Sequence, residues 1–489
     1  SRDELLRYQG VDSDPVNHGW LCDKGRFNFE SVKNDQRLTE PMVKHNGALV
    51  PTSWSSALST AANLISQAVK DNGAQSVAII GGARGTNEDA YAWSLFAQAL
   101  GVTNVDAQLD DGLPASVFGY NQATIDQAAN ATTVILLSPD LKEELPILYL
   151  RLRDASEKKR SKLIEFAPKQ TGITRYAWKS VAYEPGNQVA VVASTLADAT
   201  IAAQVAKGSV VVVVGRANLA EDDSFTMAAL DAVMAAAPNA TVLPVIRRGN
   251  VRGAIESGLV TGSTTSILRS AVAGKINCLI LLGADPIADV RDTELARQAM
   301  AAVQHVIAID TFASSSSQRA DVLLPAAAFG EKDGTTTNLE GRVTQLNRKV
   351  NVHGTARPDW MIALELADYL GHDLGVGSVQ EVHQQLVSKV AAFGDATRAA
   401  LAINPDGVLL RRSSGNVSAG SAPTVPDRPG FGYRLVVSRK LYDNGSNVAH
   451  SASLAPLAPG SSLHMHPLDL DRLGAAVGAQ VKVSNDRTS

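Results

Sequence analysis

Cysteine is scarce in this sequence, and so are long apolar runs. The two cysteines, Cys22 and Cys278, are too few for a disulfide framework in 489 residues and favour a reducing compartment. The longest apolar runs, such as Val210–Val214, fall far short of the roughly 20 residues that a membrane-spanning helix needs. We therefore expect no transmembrane segment.

The charge of the chain offers little to attract nucleic acid. There are 45 Lys and Arg residues against 49 Asp and Glu residues, which gives a formal net charge of −4 and a sequence pI of about 6.2. No dense Lys/Arg run is interleaved with aromatic residues, which make up 5% of the chain. A nucleic-acid partner is therefore not expected.

Short apolar runs that end abruptly in Gly, Pro, Ser or Asp alternate with helical patterns. The runs predict parallel strands that are buried on both faces, at Val77–Ile80, Val134–Leu137, Leu163–Phe166, Val210–Val214, Leu279–Leu282 and Val306–Ile309. Helices are predicted at Asp89–Leu100, Leu145–Ser156 and Thr293–Ala302, where apolar residues recur every three or four positions. The class is doubly wound α/β, so we expect a ligand crevice at the carboxyl ends of the strands.

The length of the chain predicts several domains, because a single hydrophobic core stops growing at about 250–300 residues. Residues 51–120 plus 270–410 are expected to form a first α/β domain, and residues 121–269 a second. Residues 1–50 lack the strand–helix rhythm and are expected to form a small module.

The two ends of the sequence differ from its middle. Residues 411–432 are rich in Ser, Gly and Pro and predict a linker. Residues 433–489 look β-rich, with alternating runs such as Gln480–Val483, and are expected to start an incomplete β domain. The sequence does not begin with Met and has no apolar signal segment. We therefore expect a piece of a longer chain.

Cys22 lies in a setting that suits a ligand or a reactive thiol. Gly19 and Gly25 favour a tight turn around it, and the positive charges of Lys24 and Arg26 would favour a thiolate. A lone cysteine is more often a buried apolar residue. Cys278, inside an aliphatic run, fits that second description.

A polar segment, Glu331–Arg342, follows a buried run that is predicted to end as a strand at Pro325. Its Asp333-Gly334 pair predicts a turn that presents polar groups. Residues such as Asn338 and Glu340 could contact a ligand, or they could hydrogen-bond with one another as part of the architecture.

These two segments resemble those of the molybdopterin oxidoreductases. Cys22-Asp23-Lys24-Gly25 is similar to the Cys-x-Lys-Gly form that carries the last cysteine ligand of the family's [4Fe–4S] cluster. Glu331–Arg342 matches the family pattern Glu-x-x-Gly-Thr-x-x-Asn-x-Glu-Gly-Arg at nearly every position. The resemblance runs from Asn17 to about Leu473. It implies a multi-domain fold with doubly wound parallel sheets, a small N-terminal iron–sulfur module and the start of a C-terminal β-barrel domain.

The resemblance also implies roles for two residues. Cys22 would be one ligand of a [4Fe–4S] cluster, and because such a cluster generally needs four thiolates, the other ligands would lie upstream of Ser1. Lys24 would lie near the cluster. The catalytic members of the family place such a lysine between cluster and pterin.

Three further motifs are less specific. Gly283-Ala284-Asp285-Pro286 resembles the family turn that faces the guanine nucleotide half of the cofactor. Gly81–Gly85 could cradle a phosphate, or it could be a tight strand-to-helix connection without a ligand. His464 and His466 could suggest a metal site, but without carboxylate or cysteine support they are more often surface or packing residues.

The family's molybdenum ligand is the main departure. In catalytic members the metal is bound by two pterin dithiolenes and usually by a protein ligand from the loop that corresponds to Asn104–Pro114. That loop has no cysteine. Asp110 or Asp111 could serve instead, or both could be solvated or cap the next helix. We expect molybdopterin to be absent and assign no catalytic residue.

Within the family, the chain is similar to the large iron–sulfur subunit of bacterial NADH:quinone oxidoreductase, respiratory complex I. That resemblance implies a non-catalytic scaffold and electron-transfer part. Its partners would be the other peripheral-arm subunits, including the NADH/FMN-binding subunit, on the cytoplasmic side of the plasma membrane.

Two alternatives remain open. One is a catalytic molybdopterin subunit of the formate dehydrogenase or nitrate reductase type, with Asp110 or Asp111 on the metal. The other is a nucleotide-binding α/β module without a redox role.

Overall fold

Two parallel β-sheets covered by helices form the frame of the molecule. The structure is a computed structural model that describes residues 3–412, 423 and 432–484. Its strands are β1 (Met42–His45), β2 (Ala48–Pro51), β3 (Val77–Gly81), β4 (Asn104–Asp106), β5 (Thr133–Leu137), β6 (Lys162–Ala167), β7 (Lys179–Ala182), β8 (Val210–Val214), β9 (Thr241–Pro244), β10 (Cys278–Leu282), β11 (His305–Asp310), β12 (Val322–Pro325), β13 (Gly334–Thr337), β14 (Arg342–Leu346) and β15 (Val408–Leu409).

The helices cover the sheets and fill the connections between strands. They are α1 (Asp23–Phe27), α2 (Phe29–Val32), α3 (Trp54–Asn72), α4 (Asn87–Leu100), α5 (Ile125–Asn130), α6 (Leu141–Glu144), α7 (Pro146–Glu157), α8 (Gln188–Leu196), α9 (Ala199–Val205), α10 (Asp223–Ala236), α11 (Val251–Glu256), α12 (Thr264–Val272), α13 (Pro286–Asp289), α14 (Thr293–Ala302), α15 (Asp359–Tyr369), α16 (Val379–Lys389), α17 (Arg398–Ile403), α18 (Ser446–Ala449) and α19 (Pro467–Arg472).

The two large sheets each keep one α/β unit together. The first has the strand order β2-β1-β12-β11-β10-β3-β4, and the second has the order β7-β6-β5-β8-β9. All pairs of the second sheet are parallel. In the first sheet only the β1 pairs are antiparallel. A third, antiparallel sheet of β13, β14 and β15 carries the end of the polar segment Glu331–Arg342.

The central strands are buried on both faces, as their aliphatic runs predict. Every residue of β3, β5, β8 and β10 is buried. In β3, Ile79 packs in one apolar cluster with residues of α3 and α4, whereas Ile80 packs in another with residues of α12 and α14. Successive side chains of a strand point to opposite faces, so helices cover both sides of the sheet.

The first sheet extends into the segment 1–50, for which no strands were predicted. Met42 and Val43 of β1 pair with Leu323 and Val322 of β12, and β2 pairs with β1 at the edge. These strands lack the aliphatic runs of the central strands, and none of their residues is fully buried. The sheet boundary therefore lies nearer residue 40 than residue 50.

The prediction of a β-rich segment after residue 432 is wrong for the part that the structure describes. Residues 432–484 contain no strand, and they form extended chain and short helical turns, including α18 and α19. Val481 and Val483 are exposed. Their alternation does not make a strand because no neighbouring strand pairs with them. Almost all of the predicted linker 411–432 lies outside the described residues.

No single helix in the described residues is long and apolar enough to cross a membrane. The bent pair α8 and α9, which meet at 82°, passes that test by length and composition.

Candidate functional site

Cys22 lies at the start of α1, in the module that precedes the first sheet. It is the N-cap residue of α1, in extended backbone conformation, and its side chain is half-buried and unbonded to sulfur. A thiol at this place is open enough to bind a metal or to react.

Lys24 and its neighbour Asp23 connect this module to the C-terminal part of the chain. The Lys24 ammonium lies 3.2 Å from a carboxylate oxygen of Asp443. The hydroxyl of Tyr442 donates a hydrogen bond of 2.7 Å to Asp23. This bond, together with burial, raises the pKa of Tyr442 to about 12. The surroundings of Cys22 are thus completed by residues more than 400 positions away.

Cys22 has no second thiol to act with in the described residues. Cys278 is fully buried in β10, as predicted, and burial raises the pKa of its thiol to about 12. Within the same residues, no group of three or more His, Cys, Asp or Glu side chains could hold a metal ion. A lone thiol fits one ligand position and does not by itself fit a four-thiolate cluster.

Asp111 is buried in the loop after β4, where the resemblance predicts the family's metal ligand. Its oxygen Oδ1 accepts a hydrogen bond of 2.6 Å from Nη1 of Arg248, and its Oδ2 accepts bonds from Nη2 of Arg248 and Nη2 of Arg439. Burial alone would raise the pKa of Asp111, but Arg248, Arg247 and Arg439 hold it below its usual value. Asp111 is therefore neither solvated nor a helix cap. The prediction that it could be either of these is wrong.

Asp110 differs from its neighbour in its contacts. Asp110 and Leu109 both have a positive φ, 57° and 55°, which is uncommon for residues other than glycine. The Oδ2 atom of Asp110 is buried without a hydrogen-bond partner in the described residues. Burial raises the pKa of this carboxyl. Its side chain lines the large cavity described below.

The glycine-rich turn Gly81–Gly85 leads into α4 without leaving an anion site at the helix start. Thr86 and Asp89 form a capping box, in which each side chain accepts a hydrogen bond from the other's backbone N–H. Glu88 and Asp89 also place negative charge in the first turn. The N–H groups that would hold a phosphate are thus partly engaged, and the local charge opposes an anion.

The turn Gly283-Ala284-Asp285-Pro286 also has an architectural partner. The carboxylate of Asp285 accepts hydrogen bonds from the backbone N–H groups of Ser315 and Ser316 and from the Ser316 hydroxyl. The turn therefore connects the loops that follow β10 and β11.

The segment Glu331–Arg342 begins with two buried ionic clusters. Glu331 pairs with Arg37 at 2.8 Å, and both side chains are almost fully buried. Lys332 lies within 2.8 Å of both Asp89 and Asp359. Burial alone would lower the pKa of Lys332, but the two carboxylates raise it. These contacts fix the segment to α4 and α15.

The end of the same segment joins the two α/β units. Asn338 accepts hydrogen bonds from the backbone N–H groups of Glu340 and Arg342, and Arg342 pairs with Glu340 at 2.5 Å. The second oxygen of Glu340 accepts a bond of 2.6 Å from the N–H of Ile125, at the start of α5. The side chains thus hydrogen-bond with one another, as the architectural interpretation predicts.

The crevice at the carboxyl ends of β3, β10, β11 and β12 is small. Its volume is about 100 Å³, whereas pockets for ligands of drug size have about 300–1,000 Å³. Phe312, which follows β11, stacks on the ring of His450 with 3.7 Å between ring centroids. Asp310 lies here too, and burial raises its pKa to about 6.

The two histidines near the C-terminal end, His464 and His466, are exposed. His466 caps the start of α19 by accepting a hydrogen bond from the N–H of Leu468. Neither belongs to a group of metal ligands among the described residues.

The sheet order and the polar segment agree with a comparison against family models. The molybdopterin oxidoreductase model matches residues 37–369, well over half of the chain. The chain belongs to the molybdopterin oxidoreductase family. The match confirms the fold class and the resemblance that rest on Glu331–Arg342.

Family members with similar sequences carry different names. The NADPH-Fe(3+) oxidoreductase subunit alpha of Geobacter sulfurreducens is 27% identical over 99% of this chain and 66% of its own length. A subunit of the NADH-quinone oxidoreductase of Mycobacterium tuberculosis is 28% identical over all of this chain and 63% of its own length. An F420-dependent formate dehydrogenase subunit alpha of Methanococcus maripaludis is 24% identical over 97% of this chain and 86% of its own length. The chain therefore spans less than two thirds of the first two relatives.

A solved structure has a similar architecture. Acetylene hydratase from Pelobacter acetylenicus superposes with a TM-score of 0.57 and 14% sequence identity, over 75% of this chain and 67% of its own. At this identity the likeness shows the fold alone.

The sequence analysis did not single out Arg248 and Arg439, the two arginines that bind Asp111. Arg248 has a positive φ of 74° in a turn that follows β9. The run Arg247-Arg248-Gly249, which comes directly after an apolar strand, was the sequence feature that could have indicated it. Arg439 gave no signal, since its partner Asp111 is 328 residues away.

Proposed function

We propose that this chain is the non-catalytic scaffold and electron-transfer part of the large iron–sulfur subunit of an NADH:quinone oxidoreductase, respiratory complex I. Cys22 contributes one ligand to a [4Fe–4S] cluster, and residues outside this chain contribute the others. The partners are the other peripheral-arm subunits, including the NADH/FMN-binding subunit, on the cytoplasmic side of the plasma membrane. The similarity to the mycobacterial NADH-quinone oxidoreductase subunit supports this proposal.

The pairing of Asp111 is the observation that carries the non-catalytic part of the proposal. Both of its oxygens are engaged by arginines, and its side chain is only 8% exposed. A carboxylate so bound could accept a metal only by giving up charge-assisted hydrogen bonds, which are about twice as strong as neutral ones.

The setting of Cys22 supports the electron-transfer part. The thiol is half-buried beside the Lys24–Asp443 ion pair, whereas the second cysteine is enclosed in the sheet. A ligand that must be shared with another segment needs this kind of accessible position.

The replacement Cys22→Ala in the intact subunit tests the proposal. We expect one [4Fe–4S] signal to vanish from the EPR spectrum, while NADH oxidation by the complex is largely kept. Cys278→Ala is the matched control and should retain every signal. If Cys22→Ala leaves all the cluster signals unchanged, the proposed ligand role is wrong.

A catalytic molybdopterin subunit is the second candidate, and Asp110 favours it. This residue keeps one buried carboxylate oxygen without a partner in the described residues, and one relative is named as a formate dehydrogenase subunit. In the full-length protein, Asp110→Ala or Asp111→Ala, whichever removes the metal ligand, should abolish a redox activity that depends on molybdenum. Full activity in both variants would exclude a metal bound by either residue.

A further inference from the structure

A cavity of about 770 Å³ opens beside β4, at the edge of the first sheet. Its walls are the loop after β4, residues 260–275 around the start of α12, and part of the loop after β8. It shares no lining residue with the crevice at the strand ends. The volume lies within the range of small-molecule sites.

Four cationic side chains line this cavity: Arg216, Arg269, Lys275 and Arg291. Within the described part of the chain, none of these four side chains forms an ion pair with a carboxylate. The ion pairs near them belong to other arginines. Cations that no carboxylate engages directly remain available to an anion that enters the cavity.

Arg216 is a buried cation whose hydrogen-bonding capacity is not fully satisfied. It is 6% exposed, and its guanidinium donates to the backbone carbonyls of Asp110, Gly112 and Glu221. Its Nε atom is buried with no partner in the described residues. Arg291 donates to the same Glu221 carbonyl, at 2.8 Å. Two guanidinium groups thus meet at one carbonyl oxygen, and an anion beside them would relieve their mutual repulsion.

A second buried group in the cavity also lacks a partner. Gln108 is 8% exposed; its Nε2 donates to the Leu113 carbonyl at 2.9 Å, and its Oε1 has no partner in the described residues. Hydroxyl groups of Thr265, Ser266 and Ser270 line the cavity as well. An unpaired buried acceptor costs about 1–3 kcal/mol, so a ligand that donates to Gln108 would be favoured.

Four carboxyl groups also line the cavity, those of Asp106, Asp110, Asp222 and Asp223, but none forms an ion pair with its cations in the described residues. Asp106 is engaged by the N–H and hydroxyl of Thr264, and Asp222 caps the start of α10. Burial raises the pKa values of Asp110 and Asp223, and the charge of Asp222 raises that of Asp223 further.

We propose that this cavity binds a small organic anion whose phosphate or carboxylate group lies at Arg216 and Arg291. Guanidinium groups match both oxyanions with two parallel hydrogen bonds. The hydroxyl groups and the Gln108 carbonyl then contact the polar remainder of the ligand. The site is independent of any cluster at Cys22.

Titration calorimetry of the full chain tests this site, with pyrophosphate and citrate as separate probes in a low-salt buffer free of other oxyanions. We expect one saturable site for at least one probe. Tighter binding of pyrophosphate indicates a phosphate ligand, and tighter binding of citrate indicates a carboxylate ligand.

Replacement of exposed cations makes the test specific without disturbing the buried Arg216. Arg291→Gln and Lys275→Gln should each weaken binding of the probe at least tenfold. Arg297→Gln, which removes an exposed arginine of α14 that does not line the cavity, should leave the affinity unchanged. The proposal is overturned if neither probe binds, or if Arg291→Gln binds as tightly as the native chain.

Discussion

At the scale of single residues, the buried charges of this chain are mostly matched. Asp111 with Arg248, Glu331 with Arg37, and Lys332 with its two carboxylates are all enclosed. Removing one partner of such a pair leaves an uncompensated charge in a medium of low polarity. These charged residues are evident in the sequence, but the sequence does not predict which of them form ion pairs.

The replacement Asp111→Asn should lower the free energy of unfolding by about 3 kcal/mol, because it leaves Arg248 buried with a neutral partner. Asp395→Asn is the control: Asp395 pairs with Arg411 in the open, with both side chains more than half exposed, and such pairs contribute about 0–1 kcal/mol. Urea unfolding followed by circular dichroism measures both changes. Equal losses in the two variants would contradict the assignment of Asp111 as a structural anchor.

Asp310 should make stability depend on pH. Burial raises its pKa from 3.8 to about 6, against the opposing charge of Arg84. The folded protein therefore holds a proton that the unfolded chain has lost between pH 4 and 6. The stabilisation is present below about pH 4 and is lost as the pH rises through 6. Two pKa units correspond to about 3 kcal/mol.

Asp310→Asn should remove this dependence. Relative to the native chain, the variant should gain about 3 kcal/mol of stability as the pH rises from 4 to 7, as measured by urea unfolding at several pH values. A difference between the two proteins that stays flat over this range would show that Asp310 does not carry the shift.

At the scale of elements, the sequence predicts the bounds of a strand or helix best where the local residue pattern alone determines the secondary structure. The five valines of β8 and the helix α14 have the bounds that their patterns predict, because a short β-branched run favours a buried strand and an amphipathic stripe favours a helix. The strands β1, β2 and β4 are short, and pairing determines them: β1 pairs with the distant β12, β2 with β1, and β4 with β3. Where no partner strand is present, as at Gln480–Val483, alternation alone was misleading.

The junction of β3 and β10 depends on a glycine. Gly81 has a φ of 110°, and a Cβ atom there would lie 2.2 Å from the Leu282 carbonyl oxygen. Gly81→Ala should therefore lower the free energy of unfolding by about 2 kcal/mol or more beyond the loss in Gly47→Ala. Gly47 also has a positive φ, 84°, but a Cβ atom there meets nothing within 4 Å, so its loss should be about 1 kcal/mol. Thermal and urea unfolding compare the two variants, and similar losses would mean that the junction can relax.

At the scale of the whole molecule, residues 432–453 connect parts that are distant in sequence. Val437 pairs with Asn218 and Leu219 of the second α/β unit, Arg439 bonds to Asp111 of the first, and Asp443 pairs with Lys24. This path could not be predicted, since each contact joins positions more than 200 residues apart. The family, by contrast, followed from the contiguous pattern Glu331–Arg342.

Arg439→Ala should loosen this connecting segment without unfolding the sheets. The variant loses the bond to Asp111 and a second bond to the Asp289 carbonyl. Hydrogen exchange of the amides in 435–441 should become roughly tenfold faster or more, while β8 and β10 stay protected. Arg472→Ala, an exposed arginine that contacts only its own helix α19 among the described residues, is the control. Unchanged exchange in 435–441 would mean that Arg439 does not hold the segment.

The central claim is that this fold serves as an iron–sulfur scaffold without molybdenum, and elemental analysis of the purified intact subunit tests it most directly. We predict iron in the amount required by its clusters, with neither molybdenum nor tungsten above background. One atom of molybdenum or tungsten per subunit would contradict the account and favour the catalytic alternative.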